Sequence, residues 1–145
     1  MNKQTINLKI RTPENKRYSI EEVHALFDEW DKIGTFKERK SKKINVDFDG
    51  YLVKTYSQRY DLFRKNHTCV CCGLEANCYI LEKQQSSKAW HFNLYYVDEN
   101  GKETLFTKDH VIARANGGDN ALSNYQTMCC ICNGKKGCSD KRYFI

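Results

Sequence analysis

Residues 105–136 read LFTKDHVIARANGGDNALSNYQTMCCICNGKK. Leu105 to Ile112 has the make-up of a strand running into the pair Asp109-His110. Residues 113–120 then form a loop around Gly117-Gly118, a pair suited to a tight turn. Beyond it come Asn124 and a C-x2-C pair, Cys129 to Cys132, followed directly by Asn133. Taken singly, these are a surface Asp-His turn and two turn-forming asparagines. Together and in this order they read as a constellation for chemistry.

Working outward, a second C-x2-C pair lies upstream in Cys69-Val-Cys71-Cys72-Gly73. Two such pairs can place four thiolates tetrahedrally around zinc, provided the intervening hairpins return the chain to the same place. Gly73 favours Cys69 and Cys72 as the first pair, with Cys129 and Cys132 as the second. Cys71 and Cys130, inside the pairs, are the alternative thiols. Cys78 and Cys138 read as packing residues or free thiols, and the bland alternative for all eight cysteines is burial as small apolar side chains. The start MNKQTINLKI lacks the apolar core of a secretory signal, and no apolar run approaches the length of a membrane span. A cytoplasmic location is therefore expected, with no membrane partner and with the cysteines reduced for metal rather than disulfide-bonded.

The 145 residues, 40% hydrophobic and 29% charged, are enough for one compact unit and one active site. The formal charge of +6 is uneven: residues 1–65 carry 15 Lys and Arg against 10 Asp and Glu, residues 66–145 carry 9 against 8. Gripping a polyanion falls largely to the first half.

That half opens with INLKIRT, a short strand by alternation. Ser19 and Glu22 match a capping box, with Ile20, Val23, Phe27 and Trp30 along one helical face and Gly34 as the stop. Phe36 to Lys43, basic and without apolar periodicity, reads as a loop or arm; with Arg59 and Arg64 it offers basic groups suited to phosphates, among which Lys40, Lys42 and Lys43 are candidate contacts, the alternative being a solvated charged face. Asp49-Gly50 predicts a hairpin between Ile44–Phe48 and Tyr51–Lys54. A helix follows over Gln58–Lys65, with Tyr60 and Phe63 facing the core. Tyr79–Glu82, Trp90–Val97 and Glu103–His110 complete a small antiparallel sheet, with a turn at Asn100-Gly101. His24, His67 and His91 carry no site role.

The ordered combination of Asp109-His110, Gly117-Gly118, Asn124, Cys129-x2-Cys132-Asn133 and a following lysine closely resembles the HNH endonuclease family, the ββα-metal nucleases, in the variant with two zinc-binding cysteine pairs. The resemblance covers roughly residues 59–136. It implies an α+β fold: a small ββα-metal nuclease core over residues 57–145, stapled by a four-cysteine zinc site. Residues 1–56 form a basic N-terminal α/β extension, with one helix and a hairpin. It also implies metal-dependent hydrolysis of double-stranded DNA, with Mg2+ or Mn2+ as the catalytic ion and Zn2+ as the structural one. Asp109 and the amide oxygen of Asn133 offer the oxygen ligands that a hard divalent ion prefers. His110 suits the general base, because an imidazole can take a proton from the attacking water.

Asn124 matches the family's middle asparagine and would hold the loop through backbone hydrogen bonds. Asn133 departs from the family's third histidine, which shifts preference toward Mg2+ or Mn2+. Asp109 and His110, adjacent on a strand, point to opposite faces unless the strand bends. Arg114, Lys135 and Lys136 are further candidate phosphate contacts. A homodimer is one route to a double-strand break, since one site cuts one strand at a time. The richness in Lys, Asn, Tyr and Ile is consistent with a phage genome. The reading from a different class is a non-catalytic, zinc-stabilised DNA-binding module, which would have no need of an intact Asp109-His110 pair.

Overall fold

The computed structural model describes residues 8–137 and 139–143. Ile6 and Asn7 of the expected first strand, and Cys138, lie outside the described residues. The elements run β1 (Lys9–Arg11), β2 (Arg17–Tyr18), α1 (Ile20–Asp31), α2 (Phe36–Ser41), β3 (Asn45–Phe48), β4 (Tyr51–Lys54) and α3 (Gln58–Lys65). They continue as β5 (Cys78–Gln84), β6 (His91–Val97), β7 (Glu103–His110), β8 (Tyr125–Cys129) and α4 (Cys130–Lys136). The fold is mixed α and β, as expected.

Helix α1 begins where its capping box places it. The Ser19 hydroxyl accepts from the Glu22 backbone N–H while the Glu22 carboxylate accepts from that of Ser19. Its apolar stripe buries Val23, Phe27 and Trp30. The segment expected to be a loop or arm, Phe36 to Lys43, is instead helical over Phe36–Ser41. A second capping box, Thr35 with Glu38, starts it. Absence of an apolar stripe misled, because what anchors this helix is a buried cation rather than an apolar side chain. Arg39 is only 4% exposed and donates to the carbonyls of Gly34 and Thr55 and to the Asp31 carboxylate. The Asp49-Gly50 hairpin forms between β3 and β4, with both turn residues at positive φ.

The main sheet is antiparallel in the order β1-β5-β6-β7-β8, with β2 also on β5. Strand β7 changes partner midway. Glu103 to Leu105 pair with β6, whereas Phe106 to His110 pair with β8, placing His110 opposite Tyr125 and Asp109 opposite Gln126. Apolar residues of β5 and β6, including Tyr79, Leu81, Phe92 and Leu94, meet α1 and α3 in one buried cluster that also takes in Phe106 and Met128. Phe27 stacks on Tyr60 at 4.2 Å between ring centroids.

That cluster crosses residue 56, and β1 ties across it as well. Arg11 donates both to Glu103 on β7 and to the buried Glu82 on β5. Burial alone would raise the pKa of Glu82, but donors from Tyr95, Asn93, Arg11 and Lys9 hold it below the usual carboxylate range. The extension is thus a working part of the sheet that carries β7. Among the described residues, no helix is long and apolar enough to cross a membrane.

Candidate active site and metal centre

Four cysteine sulfurs converge at the junction of β8 and α4. The Sγ atoms of Cys69, Cys72, Cys129 and Cys132 all lie within 4.8 Å of one another, and those of Cys72 and Cys129 are 3.9 Å apart. A tetrahedral zinc with bonds of about 2.3 Å needs sulfurs about 3.8 Å apart, so the donor set fits a structural metal. Local backbone makes the fit. Gly73, at φ +79°, closes the first knuckle by donating to the Cys69 carbonyl, and the Val70 N–H reaches the Thr127 carbonyl on β8. The second knuckle is the strand-to-helix turn itself. Cys71 and Cys130 are exposed.

Burial works against ionisation of Cys69, yet backbone N–H groups of Cys72, Cys129 and Cys71 draw its pKa down to about 7. Burial raises Cys129, and burial together with the neighbouring thiols raises Cys132. Sulfurs packed this closely cannot all shed their protons unless a cation joins them.

Helix α4 leaves this cluster and lies along one face of β7 and β8. Thr107 and Asp109, two residues apart, share that face. The Asn133 amide nitrogen donates to the Thr107 hydroxyl at 2.9 Å, and that hydroxyl donates its own proton to the Met128 carbonyl. The amide orientation is therefore fixed. Asn133 Oδ1 is left with no protein donor among the described residues. Asp109, 6% exposed, accepts on Oδ2 from Gln126 at 3.0 Å and pairs at 3.2 Å with Lys136, which is buried and also donates to the His110 carbonyl. Gln126 in turn holds the C-terminal segment, donating to the Lys141 carbonyl and accepting from the Tyr143 N–H.

His110 leaves the opposite face, because β7 stays paired in continuous register through its last residue. Its Nε2 lies 3.1 Å from Asn120 Oδ1, which also receives Arg114 Nη1 at 2.9 Å and the Tyr125 hydroxyl at 3.2 Å. A guanidinium only donates, so the Asn120 atom must be the oxygen and His110 Nε2 must carry the proton. The lone pair of the neutral ring is then on Nδ1. Tyr125 packs beside the ring at 4.7 Å.

Between the two strands, Asn124 acts as a clasp. Its Oδ1 accepts from the Ile112 N–H, and its Nδ2 donates to the carbonyls of Ile112 and Asp119. Gly118 is needed for a different reason: a Cβ there would lie 1.7 Å from the Ile112 carbonyl oxygen. Asp140, from the C-terminal segment, closes the same loop by accepting from the Ala113 N–H.

The structure brings Asp109, Asn133 and Lys136 to one face and His110, Asn120 and Arg114 to the other, with Asn124 joining the strands behind them. Lys136 is not a surface cation: its ammonium is committed to Asp109, which leaves Lys135 as the exposed one on α4. Lys40, Lys42 and Lys43 are exposed at and after the end of α2. Sequence reasoning missed Asn120, Gln126 and Thr107. Strand alternation from Asp109 would have found Thr107, but the pairing that brings Gln126 opposite Asp109 has no sequence signal.

A family model described as HNH endonuclease matches residues 95–145, from the end of β6 through β7, β8 and α4. No curated protein and no solved structure matches the chain. The four-thiol cluster, half of which lies upstream of the matched segment, fits a zinc-binding variant of that family. Over residues 95–145, then, the chain is similar to the HNH endonuclease family.

Proposed function

We propose that the protein is a metal-dependent endonuclease that hydrolyses phosphodiester bonds of double-stranded DNA, with a structural zinc on Cys69, Cys72, Cys129 and Cys132. The observation that carries this reading is the ending of β7. Its last two residues offer a carboxylate and an imidazole whose Nδ1 has no partner among the described residues, and α4 adds an amide oxygen likewise without a donor among them. Asp109 and Asn133 supply hard oxygen donors that suit Mg2+ or Mn2+. A divalent cation there would supply Lewis-acid stabilisation of charge building on the phosphate. Because β7 ends at His110, a phosphate lying across the strand end can meet both faces; there His110 Nδ1 takes the proton from the attacking water, and Asn120 fixes the tautomer that makes this possible. Asn124 keeps the loop, and with it Asn120, in place. Arg114 and Lys135 are surface cations available to phosphate.

The Lys136–Asp109 pair favours a second reading, a DNA-binding module without catalysis, because an ammonium already neutralises the carboxylate that the cation needs. Incubation of supercoiled plasmid with Mg2+ or Mn2+ separates the two. The enzyme produces nicked or linear DNA and stops in EDTA; intact plasmid at every metal concentration would leave the module.

The same pair gives a stability test. Lys136→Met strands a buried carboxylate, which costs about 3–5 kcal/mol. Urea unfolding in zinc buffer without other divalent ions should show that loss, and millimolar Mn2+ should restore part of it, because a ligand bound only to the folded state stabilises it. Equal Mn2+ stabilisation of the wild type and the variant would place the ion away from Asp109.

A further inference from the structure

Many cations of the fold are neutralised by carboxylates. Lys9 and Arg11 pair with Glu82 and Glu103, Lys16 with Asp49, Lys32 with Glu29, Arg39 with Asp31, and Arg64 with Asp28, Asp31 and Asp61. Four others stand out by contrast, because they gather without one. Lys40, Lys54, Arg59 and Lys108 have no ion pair among the described residues, although each comes from a different element: α2, β4, α3 and β7.

Three of the four lie over aromatic rings. Lys108 Nζ lies 4.2 Å from the centroid of the Tyr125 ring, Lys54 Nζ 4.7 Å from that of Tyr56, and Lys40 Nζ 5.9 Å from that of Phe36. Arg59 reaches only the Asn93 amide oxygen, at 3.4 Å. Lys54 and Arg59 line an open cleft of about 300 Å3 that also contains Lys83, His91 and Asn93. The one buried carboxylate at its wall, Glu82, is already neutralised by Lys9 and Arg11.

The field of this cluster is felt by its neighbours. Burial, then the charges of Arg59 and Lys40, pull down the pKa of both Lys54 and Lys108. Burial, then Arg59, hold His91 well below its usual range, so the imidazole, bonded to Ser57 and Asn93, stays neutral. Folding therefore holds like charges together against their mutual repulsion.

The cluster is joined to the candidate active site by a chain of hydrogen bonds. Lys108 donates to Gln58 Oε1 at 3.2 Å, Gln58 Nε2 donates to the Asn120 carbonyl at 2.9 Å, and the Asn120 side chain holds His110. Lys108 also shares a strand face with His110 and Tyr125.

We propose that the DNA backbone on one side of the cut runs from His110 over Lys108 and Arg59 into this cleft, with Lys54 and Lys40 taking successive phosphates beyond. This rests on the nuclease reading and deepens it. Beyond Lys108 it assigns the positioning of substrate to Lys40, Lys54 and Arg59, outside the matched family segment, and it gives the N-terminal half a role in the reaction. Such interactions fix register on the duplex and carry no base recognition.

The test is DNA binding measured apart from cleavage. A fluorescently labelled duplex is titrated with zinc-loaded protein carrying His110→Ala, at several salt concentrations. Lys40→Gln, Lys54→Gln and Arg59→Gln are then added together, and Lys102→Gln at the β6–β7 turn serves as the off-track control. Zinc content and circular dichroism report whether each variant is folded. The triple variant should bind at least tenfold more weakly, and its salt slope should flatten by about 0.9 for each phosphate no longer neutralised. Lys40→Gln alone, an exposed change, should flatten the slope by about 0.9. A folded triple variant with the slope of its parent, or equal weakening by Lys102→Gln, would overturn the track. Tight, track-dependent binding by a protein that cuts no plasmid would overturn the nuclease reading and leave the track standing.

Discussion

Cys132→Ser is expected to unfold the β8–α4 end of the molecule and to remove zinc and cleavage together. With three sulfurs left, the cluster loses its tetrahedral closure, and structural zinc contributes on the order of 10 kcal/mol in small domains. That is comparable with the whole stability of a domain of this size, roughly 5–15 kcal/mol. The consequence is local first, because Cys129 ends β8 and Cys132 stands one residue before Asn133. Loss of the metal frees α4 from β7, and with it the Asn133–Thr107 and Lys136–Asp109 interactions. Metal analysis should fall from one zinc per chain to none, and thermal unfolding should drop by tens of degrees or lose its cooperative transition. Cys71→Ser and Cys130→Ser, at exposed thiols, should keep both zinc and stability. A Cys132→Ser protein with wild-type melting and a full complement of zinc would contradict the assignment.

The parts of the fold legible in the sequence are those where a local signal agrees with the long-range one. Ser19 with Glu22 marks the start of α1, and Asp49-Gly50 marks the hairpin turn. The two C-x2-C pairs converge, as two knuckles around one ion require. The segment around Lys40 shows the opposite case. Its Thr35–Glu38 capping box was present in the sequence, but the anchor of α2 is Arg39 reaching carbonyls of Gly34 and Thr55, which periodicity does not register. The candidate site residues stand in the sequence as an ordered set, yet their faces do not. Only the pairing of His110 with Tyr125 shows that β7 keeps its register to the last residue and puts Asp109 and His110 on opposite faces. Nor does any sequence pattern show that Lys136 turns inward to Asp109, or that Asn120 receives His110, Arg114 and Tyr125 on one oxygen.

His110→Ala is expected to lower the rate of DNA cleavage by about 10^2–10^4-fold, the usual contribution of a positioned general base. The side chain is partly exposed at the end of a strand and touches little beyond Asn120 and the edge of Tyr125, so stability should change little. Asn124, Asp109 and α4 keep their partners, and zinc binding is untouched. The loss should therefore fall on kcat and leave affinity for the duplex unchanged, as it does when a group acts only in the transition state. The decisive measurement is single-turnover cleavage of a labelled duplex or supercoiled plasmid in Mg2+ or Mn2+, with binding measured on the same samples. Wild-type protein should cut in a metal-dependent way, and His110→Ala should bind equally and cut at least a hundredfold more slowly. Cleavage by His110→Ala at the wild-type rate would contradict the account, as would failure of the wild type to cut with either metal.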